Sequence, residues 1–218
     1  MKITHFGHAC VLLELSTPDA ETRILLDPGA YSTGFEELRG LTAVLFTHSH
    51  PDHLDIDRLP RLLAANPGID LVSDAGSATV LSELDHAVTT VRPGDRVSVA
   101  GVQVDVGGGT HACVHAALPN VVNNGYLIDG SILHPGDDLD TVPPGHAIEV
   151  LFIPAGGPWM KIGESIDFLR RVAPRVAVPI HQAGLAEVHR RLHYQLLREL
   201  APEGCELVVL EPGTAHAF

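Results

Sequence analysis

Short apolar runs separated by turn residues dominate the first part of the chain. Valine, isoleucine, leucine and phenylalanine fill these runs, and several runs are almost continuously apolar. Runs of this length bounded by turn residues are typical of strands buried on both faces. The pattern predicts β-strands at residues 3–6, 11–15, 23–26 and 43–47.

The middle of the chain alternates between helical and strand-like periodicity. Apolar positions recur at helical spacing over residues 57–65 and 77–84, which predicts two helices. Strand-like patterns return at residues 88–91, 96–99 and 102–106. Ala100-Gly101 favours a turn between the last two of these strands.

The second half repeats this order of strands and then helices. Asp129-Gly130 is a turn-forming pair and predicts a hairpin between residues 125–128 and 131–133. Further segments follow along the chain: a buried strand at 149–153, amphipathic helices at 163–173 and 185–200, and strands at 175–180 and 205–210.

Strands followed by helices in each half favour two sheets packed face to face with helices outside. No linker, repeat or low-complexity stretch divides the sequence. We therefore predict an α+β architecture, a four-layer αββα sandwich, formed by a single domain over residues 1–218. The C-terminal residues 215–218 are expected to fray, although packing at an interface is an alternative.

Composition narrows the possible partners. Of 218 residues 45% are apolar, and the formal net charge is −13 with two lysines and twelve arginines. The sequence contains no run of basic residues that could follow a phosphate backbone, so nucleic acid is not an expected partner. Two bound divalent ions would reduce the net charge to about −9, so part of the acidity is consistent with a metal site.

Cysteine usage and the N-terminus favour a cytoplasmic protein. Cys10, Cys113 and Cys205 are odd in number and widely spaced, which predicts neither a disulfide framework nor a zinc ribbon. Cys113 is interpreted as a small buried apolar side chain rather than a reactive thiol. The chain starts with a strand-like pattern and lacks an apolar run long enough for a membrane span, so neither export nor membrane insertion is expected.

The segment Phe46-Thr47-His48-Ser49-His50-Pro51-Asp52-His53-Leu54 carries the strongest chemical signal. It follows a predicted buried strand and precedes a helix, and it holds four metal-ligand side chains within six positions. Alternation at the strand end points His48 and His50 the same way, whereas Asp52 and His53 lie past the strand and can face a second ion. A turn with incidental histidines is the alternative, but it accounts poorly for the whole string.

The string resembles the signature of the metallo-β-lactamase superfamily, and the resemblance spans almost the whole chain. In that family further ligands follow downstream strands, and the candidates here are His111, Asp137 and His181. The resemblance implies one ion held by His48, His50 and His111, a second held by Asp52, His53 and His181, and Asp137 bridging them. Asp52 and Asp137 are the expected catalytic carboxylates.

Such a site implies a metal-bridging hydroxide as the nucleophile, because coordination lowers the pKa of water from 15.7 toward roughly 7. We expect two divalent ions, zinc first, with manganese or iron as alternatives. His115 lies four residues after His111 and would replace it if the preceding strand ended later. Otherwise His115 is expected near the site or the substrate.

Two N-terminal segments and one loop resemble the branch that includes L-ascorbate-6-phosphate lactonase. They are residues 7–14, 24–29 and 154–159. Within them, His8 is a candidate for substrate contact, and Asp27 for orienting a ligand histidine. Trp159 either lines the pocket or packs in the core. A strand-end histidine and an ordinary Asp-Pro-Gly turn are equally good interpretations of His8 and Asp27.

The leading functional hypothesis is hydrolysis of a lactone, ester or phosphodiester bond in a small-molecule substrate. An iron-dependent oxidoreductase on the same fold and a non-catalytic metal-binding relative are the alternatives. His189 and His193 are spaced as in a metalloprotease helix, but arginines lie between them, which favours a solvated helix face. The oligomeric state stays open.

Overall fold

Two mixed seven-stranded sheets form the core of the fold. The computed structural model describes residues 1–16 and 21–218. The first sheet has the strand order β14-β1-β2-β3-β4-β5-β6, and the second has the order β13-β12-β11-β10-β9-β8-β7. In each sheet antiparallel pairs near one edge give way to parallel pairs toward the other.

The strands of the first sheet are β1 (Lys2–His5), β2 (Val11–Ser16), β3 (Glu21–Leu26), β4 (Ala43–Phe46), β5 (Asp70–Ser73), β6 (Val88–Thr90) and β14 (Ala215–Ala217). Those of the second are β7 (Arg96–Val99), β8 (Val102–Gly108), β9 (Asn124–Ile128), β10 (Ile132–His134), β11 (Val150–Pro154), β12 (Val176–Ile180) and β13 (Glu206–Leu207). The helices are a 3₁₀ turn (Phe35–Glu37), α1 (Leu59–Ala65), α2 (Ala75–Leu81), α3 (Ile162–Val172) and α4 (Glu187–Glu199).

Burial on both faces explains the continuous apolar runs. In β4, Ala43 and Leu45 pack between the two sheets, whereas Val44 and Phe46 pack toward the helices outside the first sheet. The same alternation in the second sheet places β11 between the inter-sheet core and the layer formed with α3 and α4. Three apolar layers thus separate four structural layers, and the predicted αββα sandwich is confirmed.

Two strands were not predicted from the sequence, and a third is much shorter than predicted. Asp70–Ser73 pairs in parallel with β4, and Ala215–Ala217 pairs antiparallel with β1, so the expectation of a frayed C-terminus was wrong. The strand predicted over 205–210 is restricted to Glu206–Leu207. The positions of these strands are determined by backbone hydrogen bonding to a neighbouring strand rather than by the pattern of side chains.

Within the described residues, no helix is both long enough and apolar enough to span a bilayer.

Candidate metal centre

Loops after strands of both sheets bring the predicted site residues together. The His48–His53 segment follows β4, and His8 lies in the turn between β1 and β2. The other three residues follow strands of the second sheet: His111 follows β8, Asp137 follows β10 and His181 follows β12. Residues distant in sequence therefore meet at one end of the sandwich.

A tight turn directs the second half of the His48–His53 segment back toward the centre. The backbone amides of His53 and Leu54 both donate to the carbonyl of His50 at 2.9 Å. Pro51 restricts its own φ angle within this turn, and its carbonyl accepts a hydrogen bond from Ala30 at 2.7 Å. Because of this turn, one short segment contributes side chains to two neighbouring clusters of potential ligand atoms.

Four residues form what we call the histidine-rich group: His48, His50, His111 and Asp137. One potential ligand atom from each lies within 4.8 Å of the others. His48 Nε2 is 3.0 Å from His50 Nδ1. His111 Nε2 is 3.1 Å from Asp137 Oδ2. This spacing is suitable for a single cation bound by several nitrogen and oxygen atoms.

Four other residues form a mixed group: His8, Asp52, His53 and His181. Their potential ligand atoms also lie within 4.8 Å of one another. His181 Nε2 is 3.6 Å from Asp52 Oδ2, and His8 Nε2 is 3.0 Å from the same oxygen. His8 Nδ1 accepts a long hydrogen bond from the amide of Ala183 at 3.4 Å, so Nε2 is the protonated atom that donates to Asp52.

Asp137 lies between the two groups. Its Oδ2 is 3.1 Å from His111 Nε2 and 3.1 Å from His181 Nε2, and its Oδ1 is 3.3 Å from His53 Nε2. The buried Asn123 side chain accepts a hydrogen bond from the Asp137 amide at 2.9 Å and donates to the Pro135 carbonyl at 2.8 Å. The position of Asp137 is therefore fixed, and its carboxylate can serve both groups.

Hydrogen bonds at Nδ1 fix the orientation of four of the histidine rings. The acceptor is a backbone carbonyl, a carboxylate or a hydroxyl, and each bond leaves Nε2 facing the centre. The pairs are His48 with Thr47 Oγ1 (3.0 Å), His53 with Asp27 Oδ2 (2.8 Å), His111 with the Ala112 carbonyl (2.6 Å) and His181 with the Gly156 carbonyl (2.5 Å).

Burial and charge oppose each other across the cluster. Burial holds the pKa of His48 well below its ordinary value, so its ring is neutral and its lone pair is free. Burial also lowers the pKa of His53, but Asp137 and Asp27 outweigh it and hold that pKa well above the ordinary value. Burial raises the pKa of Asp137, yet the charges of His53 and His181 outweigh it and keep the carboxyl ionised.

Three buried atoms at the centre have no hydrogen-bond partner within the described part of the chain. They are His53 Nε2, His181 Nε2 and Asp137 Oδ1. Unpartnered buried polar atoms are costly, and these three converge on one region. A divalent cation would satisfy all of them, and imidazole with carboxylate is a donor set that zinc and neighbouring ions accept. The residues present therefore fit a metal centre.

The backbone around the cluster is strained. His8, Asp27 and His181 have φ angles of 50°, 45° and 58°, in the left-handed region that non-glycine residues rarely adopt. Gly29 is needed for close approach, because a Cβ there would lie 1.8 Å from the Asp52 carbonyl oxygen. Packing of these loops against each other holds the site residues in place.

The remaining candidates differ in their placement. His115 is exposed, its Nδ1 accepts from the Ala117 amide at 3.1 Å, and it belongs to neither ligand group. Trp159 is 8% exposed and packs edge-on against His111 and His181, with ring centroids 5.8 and 5.5 Å away. It therefore packs in the core and borders the site at once.

Cys113 and the α4 histidines lie outside both groups. The interpretation of Cys113 as a buried side chain was wrong, because it is exposed in the loop after His111. The expectation of a solvated face holds for exposed His189 but not for His193, which is half-buried with its Nδ1 2.7 Å from the Ala155 carbonyl.

Sequence reasoning missed two residues that support the cluster, Thr47 and Asn123. Thr47 Oγ1 donates to Asp27 Oδ2 at 2.7 Å while lying 3.0 Å from His48 Nδ1. A polar residue at the end of an apolar strand was the available signal for Thr47. The pair Asn123-Asn124 before a buried strand was a weaker signal for Asn123.

Two proteins from other organisms are similar to this chain over most of its length. Protein Rv0786c of Mycobacterium tuberculosis is 45% identical over 205 residues, which cover 92% of each chain. A UPF0173 metal-dependent hydrolase of Thermofilum pendens is 27% identical and covers 97% of this chain and 96% of its own.

The chain is also similar to a solved structure and to a protein family. CmlA, a diiron β-hydroxylase from Streptomyces venezuelae, matches 96% of this chain and 53% of its own with a TM-score of 0.72 at 17% identity, which is a likeness of fold. Residues 2–181 match the family described as the β-lactamase superfamily domain. With that match over most of its length, the chain belongs to the metallo-β-lactamase superfamily.

Proposed function

We propose that this protein is a binuclear metal-dependent hydrolase that cleaves a lactone, ester or phosphodiester bond in a small molecule. The observation that carries the proposal is the convergence of two ligand groups on a shared carboxylate, Asp137, with three buried atoms that make no hydrogen bond within the described part of the chain. Ion pairing alone brings His53 Nε2 to 3.3 Å from Asp137 Oδ1 and His181 Nε2 to 3.1 Å from Asp137 Oδ2 but leaves those three buried atoms without a hydrogen bond, whereas a cation between them would satisfy all three.

The proposed ligands divide as the two groups do. His48, His50 and His111 would hold one ion, Asp52, His53 and His181 would hold the other, and Asp137 would be shared. Zinc is the first choice, with manganese and iron as alternatives. Two such ions, when bound, supply Lewis acidity and a deprotonated water at neutral pH.

Other residues of the chain would orient the proposed ligands and exclude water from the site. Burial, the largest effect, lowers the pKa of His8 to about 4, so His8 is neutral at pH 7 and donates one hydrogen bond to Asp52. We therefore assign His8 to positioning Asp52 rather than to binding an ion. Trp159 covers the edges of His111 and His181 and keeps bulk water from that side of the cluster.

Relatives support hydrolysis over other chemistry. The Thermofilum pendens relative, similar over nearly its whole length, is named a metal-dependent hydrolase. Within that class, residues 7–14 and 24–29 favour a lactonase-like reaction. We also expect the protein to act in the cytoplasm on a freely diffusing substrate.

An iron-dependent oxidoreductase is the second candidate, since CmlA has the same fold and is a diiron enzyme. That likeness is one of fold at 17% identity, and the ligand set here accepts zinc as well as iron. The identity of the resident metal separates the two candidates.

Reconstitution tests the proposed function. Chelated protein reloaded with zinc, manganese or iron would be assayed on an alkyl lactone, p-nitrophenyl esters and bis(p-nitrophenyl) phosphate. We expect metal-dependent turnover of at least one substrate by the native chain and by His189→Ala, and none by His50→Ala. Near-normal turnover by His50→Ala would overturn the proposal.

A further inference from the structure

Two cavities flank the ligand cluster. The larger, of about 480 Å³, opens on Asp52 and His181 of the mixed group. The smaller, of about 250 Å³, opens on His50 and His111 of the histidine-rich group. A substrate bound at the cluster would extend its two arms into these cavities, so their linings determine which substrates fit.

The larger cavity is walled mainly by apolar groups and backbone. Away from the cluster its lining consists of Tyr31, Gly156, Gly157, Pro158, Gly184 and Leu185. Tyr31 is 60% exposed, and its ring meets His8 edge-on at 5.2 Å. A largely exposed aromatic ring at the rim of a cavity is available for contact with an apolar ligand group.

Leu185 lines this cavity, and its placement depends on a glycine. A Cβ at Gly156 would lie 2.7 Å from Leu185 Cδ2. Leu185 therefore lies directly over the Gly156 backbone, whose carbonyl orients His181. Leu185 thus lies close to His181, a proposed metal ligand.

The smaller cavity is also lined mainly by apolar side chains. Val114, Leu118, Pro119 and Val121 line it, and Val114 and Leu118 are 43% and 56% exposed. Exposed apolar side chains grouped beside a polar cluster favour contact with an apolar ligand. Its polar groups beyond the cluster are those of His115 and Asn120 and the exposed thiol of Cys113.

Neither lining includes a lysine or an arginine, and residues 17–20, which the structure does not describe, contain none either. A neighbouring cavity beside Trp159 does hold Arg171, but together with the carboxylates of Asp140, Glu164 and Asp167. A phosphate or carboxylate on a substrate, away from the bond that breaks, would therefore be desolvated without a cationic partner.

We infer that the substrate is an uncharged carboxylic ester or lactone with apolar substituents, not a phosphorylated compound, and that Tyr31 and Leu185 select its chain length. This inference rests on the proposed function and extends it. Each methylene buried in the larger cavity would strengthen binding by about fourfold.

Binding and turnover together test the inference. Trp159 is the single tryptophan of the chain and borders both ligand groups, so its fluorescence reports binding. The metal-loaded protein would be titrated with unhydrolysable lactams carrying alkyl chains of two to eight carbons, and with alkyl phosphates of the same lengths. Turnover would be followed on p-nitrophenyl esters of two to eight carbons and on bis(p-nitrophenyl) phosphate.

We expect the lactam Kd to fall by about threefold to fourfold per methylene over the first few carbons, and kcat/KM for the esters to rise in parallel. In Leu185→Ala and Tyr31→Ala, the change per methylene in lactam Kd and in ester kcat/KM should be at most half of that in the native chain. Leu192→Ala, the same change on the exposed face of α4, should leave both unchanged, and thermal unfolding would verify that each variant is folded.

The outcomes separate this inference from the proposed function. Turnover of the phosphodiester in preference to every ester would overturn the inference and leave hydrolysis standing. Tighter binding of alkyl phosphates than of lactams would also overturn the inference, and ester turnover in the same protein would leave hydrolysis standing. Chain-length-dependent lactam binding without turnover of any substrate would support the role of Tyr31 and Leu185 in selecting chain length and defeat the proposed hydrolase. A Kd independent of chain length would overturn the inference in either case.

Discussion

The two ligand groups differ in how they obtain negative charge. The histidine-rich group contains three imidazoles, and Asp137 is its only carboxylate. The mixed group has a carboxylate of its own, Asp52, which receives a hydrogen bond from His8. Asp137 lies 3.1 Å from a histidine of each group. One buried carboxylate thus completes the first group and supplements the second.

The groups also differ in the kind of side chain that reaches solvent. In the mixed group the carboxylate of Asp52 is 22% exposed and borders the larger cavity, whereas in the histidine-rich group the half-buried His50 ring borders the smaller cavity. Each group therefore faces one cavity, but the mixed group presents a carboxylate there and the histidine-rich group an imidazole. The comparison predicts that substitutions will have unequal effects on the two ions.

The largest effect is expected for Asp137→Asn. Loss of this charge leaves the histidine-rich group with neutral ligands and deprives the mixed group of one oxygen, so turnover should fall by about a thousandfold or more. Bound metal should drop to one ion per chain or fewer while the far-ultraviolet circular dichroism stays native. The adjacent Asp138→Asn, whose side chain caps the Asp140 amide, is the matched control and should retain metal and turnover.

The next effect is specific to the histidine-rich group. His111→Ala removes one of its three imidazoles and should eliminate one ion and nearly all activity, as measured by elemental analysis and ester turnover. His115→Ala, four residues along the same loop, should keep both ions. Loss of metal in His115→Ala with retention in His111→Ala would reverse our ligand assignment.

A smaller effect should be confined to the mixed group. His8→Ala removes the donor to Asp52 but no proposed ligand, so the affinity for one ion should weaken by about 10- to 100-fold while the other is unchanged. Titration with a chromophoric chelator measures both affinities. His8→Gln keeps an amide donor at similar reach and should recover part of the loss, whereas complete loss of that ion in both variants would mean that His8 binds it directly.

The smallest effect should occur on α4. His189 is exposed and lies outside both groups, so His189→Ala should change neither metal content nor turnover. A measurable loss of metal would show that α4 contributes to the site.

The sequence allowed prediction of the sandwich and of the His48–His53 segment because both depend on local spacing. Apolar runs buried on two faces marked most strands, but Asp70–Ser73 has only two apolar residues, and Ala215–Ala217 has weak strand propensity. Both form strands because a neighbouring strand offers free backbone groups. Such pairing depends on the tertiary structure and leaves little trace in the side-chain pattern.

The candidate site likewise divides into residues that local spacing predicts and residues that only the tertiary structure brings together. His111, Asp137 and His181 could be proposed only through a family resemblance, since loops bring them to the His48–His53 segment. The contacts of His8 with Asp52, and of Asn123 with Asp137, depend on turns with unusual backbone angles or on buried polar packing. No local sequence pattern specifies those contacts.

Elemental analysis of protein purified without chelator or added metal measures whether the two groups bind two ions that share Asp137. We predict about two zinc or manganese ions per native chain. One iron per chain would contradict the binuclear hydrolase and favour redox chemistry, and no bound ion after reconstitution with excess metal would contradict the metal centre itself.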